Sequence, residues 1–489
     1  MSTDSGSASG SGPGSPGSRE KTTAKAILIS IVAAVGGFLF GFDSSVINGA
    51  VDALNDQFGL QDSPLLSGFA VACALLGSAA GAWFAGPAAD RYGRVRVMLI
   101  AAALFAISSI GSGLAFAVWD LIIWRILAGV GIGIASVIAP AYIAEIAPAH
   151  IRGRLASLQQ MAIVLGIFVA LLSDALLAGI AGGAAETFWL GLPAWRWMFL
   201  VGIIPSVIYA ILALRIPESP RYLVAKGRME EAGRVLAQVL GQPVESVQAK
   251  VREIAVTLER EEKPSLRDLR GHAAGLRPIV WVGILLSVFQ QFVGINVIFY
   301  YSTTLWQAVG FSESDSFLAS VINSLVNVLA TVVAILIVDR VGRKPMLLGG
   351  SAGMVVTLGI MAVAFSQAII TVGADGSEEP SLPGPWGPIA LVAANLYVVA
   401  FAVSWGPVVW VLLGEMFPNW LRAAALSVAA AAQWIANFLI TVTFQSLADI
   451  GLTLAYGLYA LFALLSFLFV SKYVQETKGK ELEDMVAPQ

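Results

Sequence analysis

Charged residues, histidine and cysteine are scarce in this chain of 489 residues. Only 12% of the residues are charged, whereas 57% are hydrophobic and the mean hydropathy is +0.79. A soluble domain is about a quarter charged, so the deficit of charge indicates a protein embedded in lipid. Two histidines and one cysteine supply few metal ligands or nucleophiles, and a lone cysteine forms no internal disulfide. We therefore predict a protein that is not an enzyme and that uses no metal and no cofactor.

Several motifs are also missing from the sequence. It contains no G-x-x-x-x-G-K-[ST] loop, which argues against a transporter driven by ATP. No pattern of a selectivity filter is present, which argues against an ion channel. The formal net charge is only -3, so the overall charge does not suggest a nucleic-acid partner.

Long apolar runs dominate what is present. A bilayer core is crossed by about 20 mostly apolar residues in a helix, and the sequence contains twelve such runs. The predicted spans are 26–50, 65–88, 96–118, 121–144, 157–180, 195–215, 277–305, 316–338, 346–368, 387–413, 420–447 and 451–472. The fold class predicted from them is an all-α membrane protein with two six-helix bundles.

The polar segments divide the chain into five regions. A Gly, Ser and Pro-rich tail precedes the first span and lacks the apolar core of a signal peptide. One long charged interruption, with the pattern of short surface helices, separates the two groups of six spans. The predicted regions are a disordered tail (1–24), an N-terminal bundle (25–215), a helical linker (216–276), a C-terminal bundle (277–472) and a final tail (473–489).

Basic residues predict the orientation of the chain in the membrane. With twelve alternating helices, 27 of the 29 Lys and Arg residues fall on one side, and the exceptions are Arg125 within span 4 and Arg196 at the start of span 6. Lys and Arg concentrate in cytoplasmic loops. We expect both termini in the cytoplasm and a multi-pass protein of the cytoplasmic membrane, surrounded by lipid and acting as a monomer.

The two groups of six spans repeat each other at the cytoplasmic ends. An Asp-Arg-x-Gly-Arg turn follows span 2 and returns after span 8, and a Glu and an Arg seven residues apart follow span 4 and span 10. Such echoes are typical of transporters built from structural repeats. Basic residues in these turns can bind the acidic ones and the carbonyl ends of neighbouring helices, although they also serve simply to hold the loops inside. We expect a cytoplasmic gate of Asp90, Arg91, Arg94, Glu145, Arg152, Glu218, Arg221, Asp339, Arg340, Arg343, Glu415 and Arg422.

Together these features resemble a known family. The turns, Pro217-Glu218-Ser219-Pro220-Arg221 after span 6, Gln290-Gln291-x-x-Gly294-x-Asn296 in span 7, Gly406-Pro407-x-x-Trp410 in span 10 and Glu476-Thr477-Lys478-Gly479 at the end are similar to the sugar porter family of the major facilitator superfamily. The resemblance extends from about residue 25 to 485. It implies a sugar transporter that works by alternating access. Gln475 stands where the family usually has proline, with no expected consequence for the mechanism.

The resemblance implies a sugar site of amides around aromatic rings. Amides both donate and accept hydrogen bonds, as sugar hydroxyls do, and aromatic rings suit the apolar face of a pyranose. In span 7 the amides do not share one face of a regular helix, but Gly294 permits a local break that brings them together. The alternative is hydrogen bonding between helices. The implied site residues are Gln160, Gln290, Gln291, Asn296, Asn327 and Gln433, with Trp410 as the platform and Phe40, Phe299, Tyr300, Phe401 and Trp434 beside it.

Two positions bear on which sugar fits. Where a xylose symporter of the family has a second glutamine in span 5, this chain has Ile167, and where that symporter has leucine, it has Phe299. Both residues resemble those of glucose transporters. The resemblance therefore favours a hexose, most of all D-glucose, while xylose, galactose and inositol stay open as alternatives.

An acidic residue in span 1 predicts proton coupling. Asp43 is flanked by apolar sequence, and Arg125 in span 4 is the basic residue whose depth suits it as a partner. A pair that forms in one conformation and separates in another takes up and releases a proton. A permanent ion pair and a facilitator without coupling are the alternatives. Asp120 and Asp174 are expected near the outer interface, within reach of water and without a role.

Overall fold

The computed structural model describes residues 16–146, 152–260, 269–273, 275–372 and 378–478. Of the predicted gate residues, Arg152, Asp339 and Arg422 have side chains outside the described set. Helices account for most of the described chain. They are α1 (Pro16–Ser45), a 3-10 turn η1 (Asn48–Ala50), α2 (Val51–Phe58), α3 (Pro64–Tyr92), α4 (Arg94–Gly113), α5 (Val118–Ile146), α6 (Arg152–Ala181), α7 (Ala194–Val201), α8 (Ile203–Ala213), α9 (Pro220–Ala225), α10 (Met229–Leu240), α11 (Val244–Arg260), α12 (Pro278–Phe292), α13 (Ile295–Gln307), α14 (Glu313–Val341), α15 (Arg343–Phe365), α16 (Trp386–Val403), α17 (Trp405–Met416), α18 (Asn419–Ile450) and α19 (Leu452–Tyr473).

Twelve segments of the described residues are long and apolar enough to cross a bilayer. The predicted all-α membrane fold is confirmed, and a small β-hairpin that the sequence did not predict joins β2 (Ile369–Val372) to β3 (Glu378–Ser381). A further short strand, β1 (Arg270–Ala273), forms a single bridge near the end of the linker. Since the number of spans is even, the first and last spans begin and end on the same side, which we call the terminal face, and the other side is the opposite face.

Four of the described spans are broken, and the first of them, Lys25–Phe58, passes from α1 through η1 to α2. The seventh consists of α12 and α13, which separate at Gly294, where φ is +86°. The tenth consists of α16 and α17, which separate at Ser404, two residues before the Gly406-Pro407 pair, a residue combination that permits a helix to bend. The sixth, α7 and α8, is interrupted at Gly202. Broken helices expose backbone carbonyls at mid-membrane, which is where transporters bind their substrates.

Small residues set the packing within the first half. Along the contact of α3 with α5, a Cβ on Gly77 would lie 2.1 Å from the Ile126 carbonyl oxygen, and one on Gly129 would lie 1.9 Å from that of Ala74. Lipid tails are as apolar as the side chains, so membrane helices associate through close van der Waals packing, and small residues permit that approach. The same packing joins α1 to α6, where a Cβ on Gly41 would lie 1.9 Å from the Ile163 carbonyl oxygen.

The two halves meet along two helix pairs. α3 of the first half packs on α18 of the second, and α6 packs on α14. On the terminal face, α9, α10 and α11 share a small apolar core of their own. The contact between the halves therefore involves α3, α6, α14 and α18, with smaller contacts of α13 with α1, η1 and α2.

Candidate functional site

Three amides are linked at the break between α12 and α13. Asn296 donates from Nδ2 to Gln291 Oε1 at 2.6 Å, and Gln291 Nε2 lies 3.5 Å from Gln290 Oε1. Gln290 donates in turn to the carbonyl oxygens of Trp405 at 2.9 Å and Gly406 at 3.3 Å, at the start of α17. The left-handed Gly294 turns the chain so that the amides meet, although they lie on different faces of a regular helix. The amides of the broken seventh span thus bind the broken tenth span.

The other predicted amides lie on separate helices. Asn327 on α14 is buried, whereas Gln160 on α6, Asn296 and Gln433 on α18 are partly buried. Gln433 Oε1 has no hydrogen-bond partner in the protein. Ile167 on α6 packs against the apolar core. Unsatisfied buried oxygens are uncommon in proteins, so Gln433 is a position where a polar ligand would gain a hydrogen bond.

The predicted aromatic residues differ in exposure. Phe299, Tyr300 and Phe401 are buried, and Trp410 on α17 is 42% exposed. The rings of Phe40 on α1 and Trp434 on α18 lie 5.8 Å apart, so this contact joins the two halves. Trp410 is therefore the member of this set with the most ring surface free to accept a ligand.

The Asp43 carboxylate and the Arg125 guanidinium form a buried ion pair between α1 and α5. Arg125 Nη1 lies 3.1 Å from Asp43 Oδ2 and 3.0 Å from the Asp43 carbonyl oxygen, and its guanidinium stands 5.8 Å from the centre of the Phe199 ring. The side chain of Arg125 is 2% exposed and that of Asp43 is 11% exposed. An ion pair at this depth loses much hydration, so removal of either charge is costly.

Hydrogen bonds close the opposite face between the halves. Asn48 in η1 donates to the Phe299 carbonyl oxygen and to Ser302 Oγ, both at 2.9 Å, and accepts from Thr303. Asp52 on α2 accepts at one oxygen from Thr304 at 2.9 Å and at the other from Gln307 at 3.0 Å. The end of the first span is thus held against α13 in the second half.

Charged clusters on the terminal face each belong to one half. Arg94 makes a bidentate contact with Glu145, at 3.0 and 2.8 Å, and also contacts Asp90 at 3.1 Å. The Glu218 carboxylate accepts from the backbone N–H groups of Arg94 and Val95. The sequence predicts a gate between the halves from these residues, whereas in this conformation their contacts join α4, α5 and the start of the linker.

The second half repeats this arrangement. Arg343 makes a bidentate contact with Glu415 at 3.0 and 2.8 Å, and the backbone N–H groups of Arg343 and Lys344 donate to Glu476 at 3.0 and 2.9 Å. Arg340 contributes its carbonyl oxygen, which accepts from Lys478. Glu476 therefore occupies the position that Glu218 holds in the first half, and the duplication extends to these hydrogen bonds.

The hydrogen bonds of Glu476 affect its acidity. Burial raises the pKa of this carboxyl, but backbone N–H groups donate to the charged form and hold the pKa below its ordinary value. A lowered folded-state pKa stabilises the protein above the pKa of the unfolded chain, and that contribution disappears as the pH falls through the folded-state value. The tail is thus most firmly attached at neutral pH. Of the other residues of the predicted gate, Arg91 places its guanidinium 5.3 Å from the centre of the Tyr92 ring.

The residues that close the opposite face were missed by the sequence analysis. Asn48 and the run Ser302-Thr303-Thr304 are polar positions inside spans, which is the signal that could have identified them. The expectation that Asp120 and Asp174 reach water is wrong, because Asp120 is only 9% exposed and Asp174 is 0% exposed. Asp120 accepts from Trp124 Nε1 at 2.9 Å. In both cases, neighbouring helices cover a position that the sequence places close to the membrane surface.

The chain is similar in sequence and in structure to known sugar transporters. A family model described as sugar (and other) transporter matches residues 29–487. The chain is 58% identical over 461 residues to a glucose transport protein of Synechocystis sp., covering 94% of this chain and 96% of that protein. It is 38% identical over 490 residues to the D-xylose-proton symporter of Escherichia coli K12, covering 94% of each. The solved structure of the xylose transporter XylE from E. coli in a partially occluded inward-open conformation matches with a TM-score of 0.79 and 36% identity, covering 94% of this chain and all of that one.

Proposed function

Because this chain belongs to the sugar porter family of the major facilitator superfamily, a family of multi-pass membrane transporters, we propose that it imports a hexose, D-glucose, by proton symport. The observation that carries the proposal is the buried Asp43–Arg125 ion pair on helices that border the amide and aromatic residues. An intramembrane acid with a movable partner supplies coupling to a proton gradient. The relatives of this chain include a glucose transport protein and proton symporters for D-xylose and arabinose, which supports both the sugar and the proton coupling.

The proposed sugar site has amides on three sides and an aromatic platform. The amides of Gln160, Asn327 and Gln433 come from α6, α14 and α18. The hydrogen-bonded amides of Gln290, Gln291 and Asn296 come from α12 and α13. A sugar with several hydroxyls needs partners that both donate and accept. Trp410 offers its exposed ring to the apolar face of the pyranose, and Ile167 provides no hydrogen bond at the position where a second glutamine would favour a different sugar.

Reconstitution into vesicles tests the proposal. Uptake of labelled glucose should be driven by an inward proton gradient and should collapse with an uncoupler. Unlabelled xylose, galactose, mannose and inositol should compete more weakly than glucose. If xylose competes best, the assignment of the sugar is wrong, and if the uncoupler has no effect on accumulation, the protein is a facilitator.

Loss of the aromatic platform should weaken sugar binding. Replacement of Trp410 by alanine removes a ring whose burial against a sugar is worth about 1.5–3 kcal/mol, so we expect glucose to bind about 10- to 100-fold more weakly. Isothermal titration or fluorescence quenching in detergent measures the change. Trp83→Ala is the matched control, since that residue on α3 is 67% exposed and outside the proposed site. Equal losses in both variants would remove Trp410 from the site.

The contacts between the two halves indicate that the protein is closed on the opposite face and open on the terminal face. Asn48 and Asp52 tie the halves together on the opposite face, whereas the ion pairs of Arg94 and Arg343 each stay within one half. The concentration of basic residues around the terminal face supports a cytoplasmic location for that face. We infer an inward-facing state with both termini cytoplasmic, in which the Arg94–Glu145 and Arg343–Glu415 pairs of the gate each stay within one half.

Removal of one charge from the gate should alter this balance of states. Glu145→Gln loses the charged half of the bidentate contact with Arg94, so we expect a changed ratio of inward- to outward-facing protein with little change in the affinity for glucose. Distances between spin labels on the two halves measure the ratio. Glu231→Gln is the control, because its contact with Arg228 lies on the surface of the linker. A lost affinity with unchanged distances would contradict a gating role.

A further inference from the structure

A second intramembrane carboxylate has no part in the proposed proton path. Asp174 on α6 is 0% exposed, neither of its oxygens meets the geometric criterion for a hydrogen bond, and the backbone N–H of Gly49 is the donor that lies close to the carboxylate. Its tight neighbour is Gly49 of η1, where a Cβ would lie 2.8 Å from Asp174 Cβ and 3.0 Å from Oδ2. A carboxylate that is completely buried without a cation, beside a single backbone N–H group, is strongly disfavoured in the charged form.

Both halves of the protein build the enclosure around Asp174. A Cβ on Gly49 would also lie 2.8 Å from the ring of Phe317, which belongs to α14 in the second half. The residue before Gly49 is Asn48, whose hydrogen bonds to α13 close the opposite face. The enclosure is therefore complete when the outer side is closed, and separation of Phe317 and α13 from η1 would admit water to the carboxylate.

The ionisable groups of the neighbouring elements leave Asp174 without a counter-charge. α1, α5, α7 and α14 pack against α6, and α2 continues from η1. At this depth and toward the outer face, each ionisable side chain of these elements is engaged with other groups. These side chains are Asp43, Asp52, Asp56, Asp120, Arg125, Arg196, Glu313 and Asp315, of which Asp56 accepts from Gln61. Toward the other ends of the same helices, Lys25, Glu145 and Arg340 lie at the cytoplasmic side. A proton is therefore the partner that neutralises Asp174.

We propose that Asp174 is a second proton-binding site, which takes its proton from the outer solution when the outer side closes and returns it there when that side opens. In the outward-open state the carboxylate is hydrated and ionised. Closure buries it and requires it to bind a proton. Because the enclosure lies on the outer side of the sugar site and stays closed in the inward-facing state, this proton is not delivered to the cytoplasm. Closure therefore becomes dependent on the external pH, while the number of protons transported with each sugar is set at Asp43.

Spectroscopy without sugar tests this site separately from transport. Spin labels at Gln61 and Ser314, one exposed position in each half on the outer side, would be placed in a Cys73→Ala, Asp43→Asn background and measured in lipid nanodiscs between pH 5 and pH 8, so that protonation of Asp43 does not contribute to the response. Linkage to one proton changes the ratio of open to closed protein by up to about tenfold per pH unit. In the protein that keeps Asp174, we expect the fraction of molecules with the longer, open distance to increase with pH. In Asp174→Asn the protein should stay closed, and the ratio of open to closed protein should change by less than about twofold.

Asp120→Asn is the matched control, since Asp120 is also a buried outer-side acid but accepts hydrogen bonds from Trp124 and Phe116 within its own half. It should keep the full pH response. The proposal is overturned if Asp174→Asn retains the pH response or if Asp120→Asn also loses it. It is likewise overturned if the protein that keeps both acids shows no pH response. In vesicles, Asp174→Asn should accumulate glucose to the same ratio under a fixed proton gradient. A lower accumulation ratio would mean that Asp174 carries a transported proton and would overturn the proposal. The spin-label distances need no sugar, so they test closure of the outer side even if the protein transports a sugar other than glucose.

Discussion

Asp43→Asn should abolish the accumulation of glucose while leaving exchange of sugar across the membrane intact. For one proton per sugar, each unit of pH gradient is worth about 1.4 kcal/mol and supports about tenfold accumulation. The amide cannot exchange a proton in this range, so accumulation should fall to about the level of simple equilibration. Uptake into vesicles with an imposed pH gradient measures the loss, and counterflow of labelled sugar measures what remains.

The structure gives a reason to expect that this variant folds, although the Arg125 charge loses its counter-ion at a cost in stability. Arg125 keeps its hydrogen bond to the Asp43 carbonyl oxygen and its contact with Phe199 when the carboxylate is replaced. The amide also retains an oxygen that can accept from Arg125. Asp120→Asn serves as the control for removal of a buried acid and should accumulate glucose normally. Concentrative uptake by Asp43→Asn would show that the pair is a fixed structural contact.

Gly129→Ala should prevent the first half from packing, although it adds a single methyl group. The new Cβ would lie 1.9 Å from the Ala74 carbonyl oxygen, so α3 and α5 have to separate along their whole contact. The obstacle is a backbone atom, which cannot rotate away as a side chain can. Overpacking of this kind costs about 1–3 kcal/mol or more, and we expect most of the folded protein to be lost from detergent extracts.

A neighbouring glycine on the same helix provides the comparison. A Cβ on Gly131 would meet its first neighbour, the Ala101 carbonyl oxygen, at 3.4 Å, which is close to an ordinary contact. Gly131→Ala should therefore keep its folded yield and its melting temperature near those of the unmodified protein. Size-exclusion profiles and thermal melts of the two variants make the test. Equal behaviour would mean that the two helices adjust freely at Gly129.

Local sequence determined much of the architecture. Apolar runs of membrane-spanning length located all twelve spans to within a few residues at most ends, because a helix in lipid has to satisfy its own backbone. The first span is the largest exception, since α1 begins at Pro16 and the segment continues through η1 and α2 to Phe58. The tenth span breaks at Ser404 and not at the Gly406-Pro407 pair, because flexible residues permit a break without fixing where neighbouring helices impose it.

Some features of the candidate site could be predicted from the sequence, and others could not. Residue type and depth were enough to pair Asp43 with Arg125 and to expect amides gathered at Gly294, because an intramembrane charge needs a partner and a glycine allows a reversal of helix direction. The sequence did not show that Gln290 is committed to the carbonyl groups of Trp405 and Gly406, which lie more than a hundred residues away. Contacts of that range depend on how separate helices are placed.

The sequence by itself determined a two-halved membrane transporter with an acidic residue in its first span, because span length, charge asymmetry and internal repetition are properties of local composition. Tertiary structure alone decided which partners the polar residues have in this conformation. It placed Asn48 against α13, kept the Arg94 and Arg343 clusters within their own halves and enclosed Asp174 beside Phe317. These outcomes depend on the relative position of the two halves, which changes during transport while the sequence stays the same.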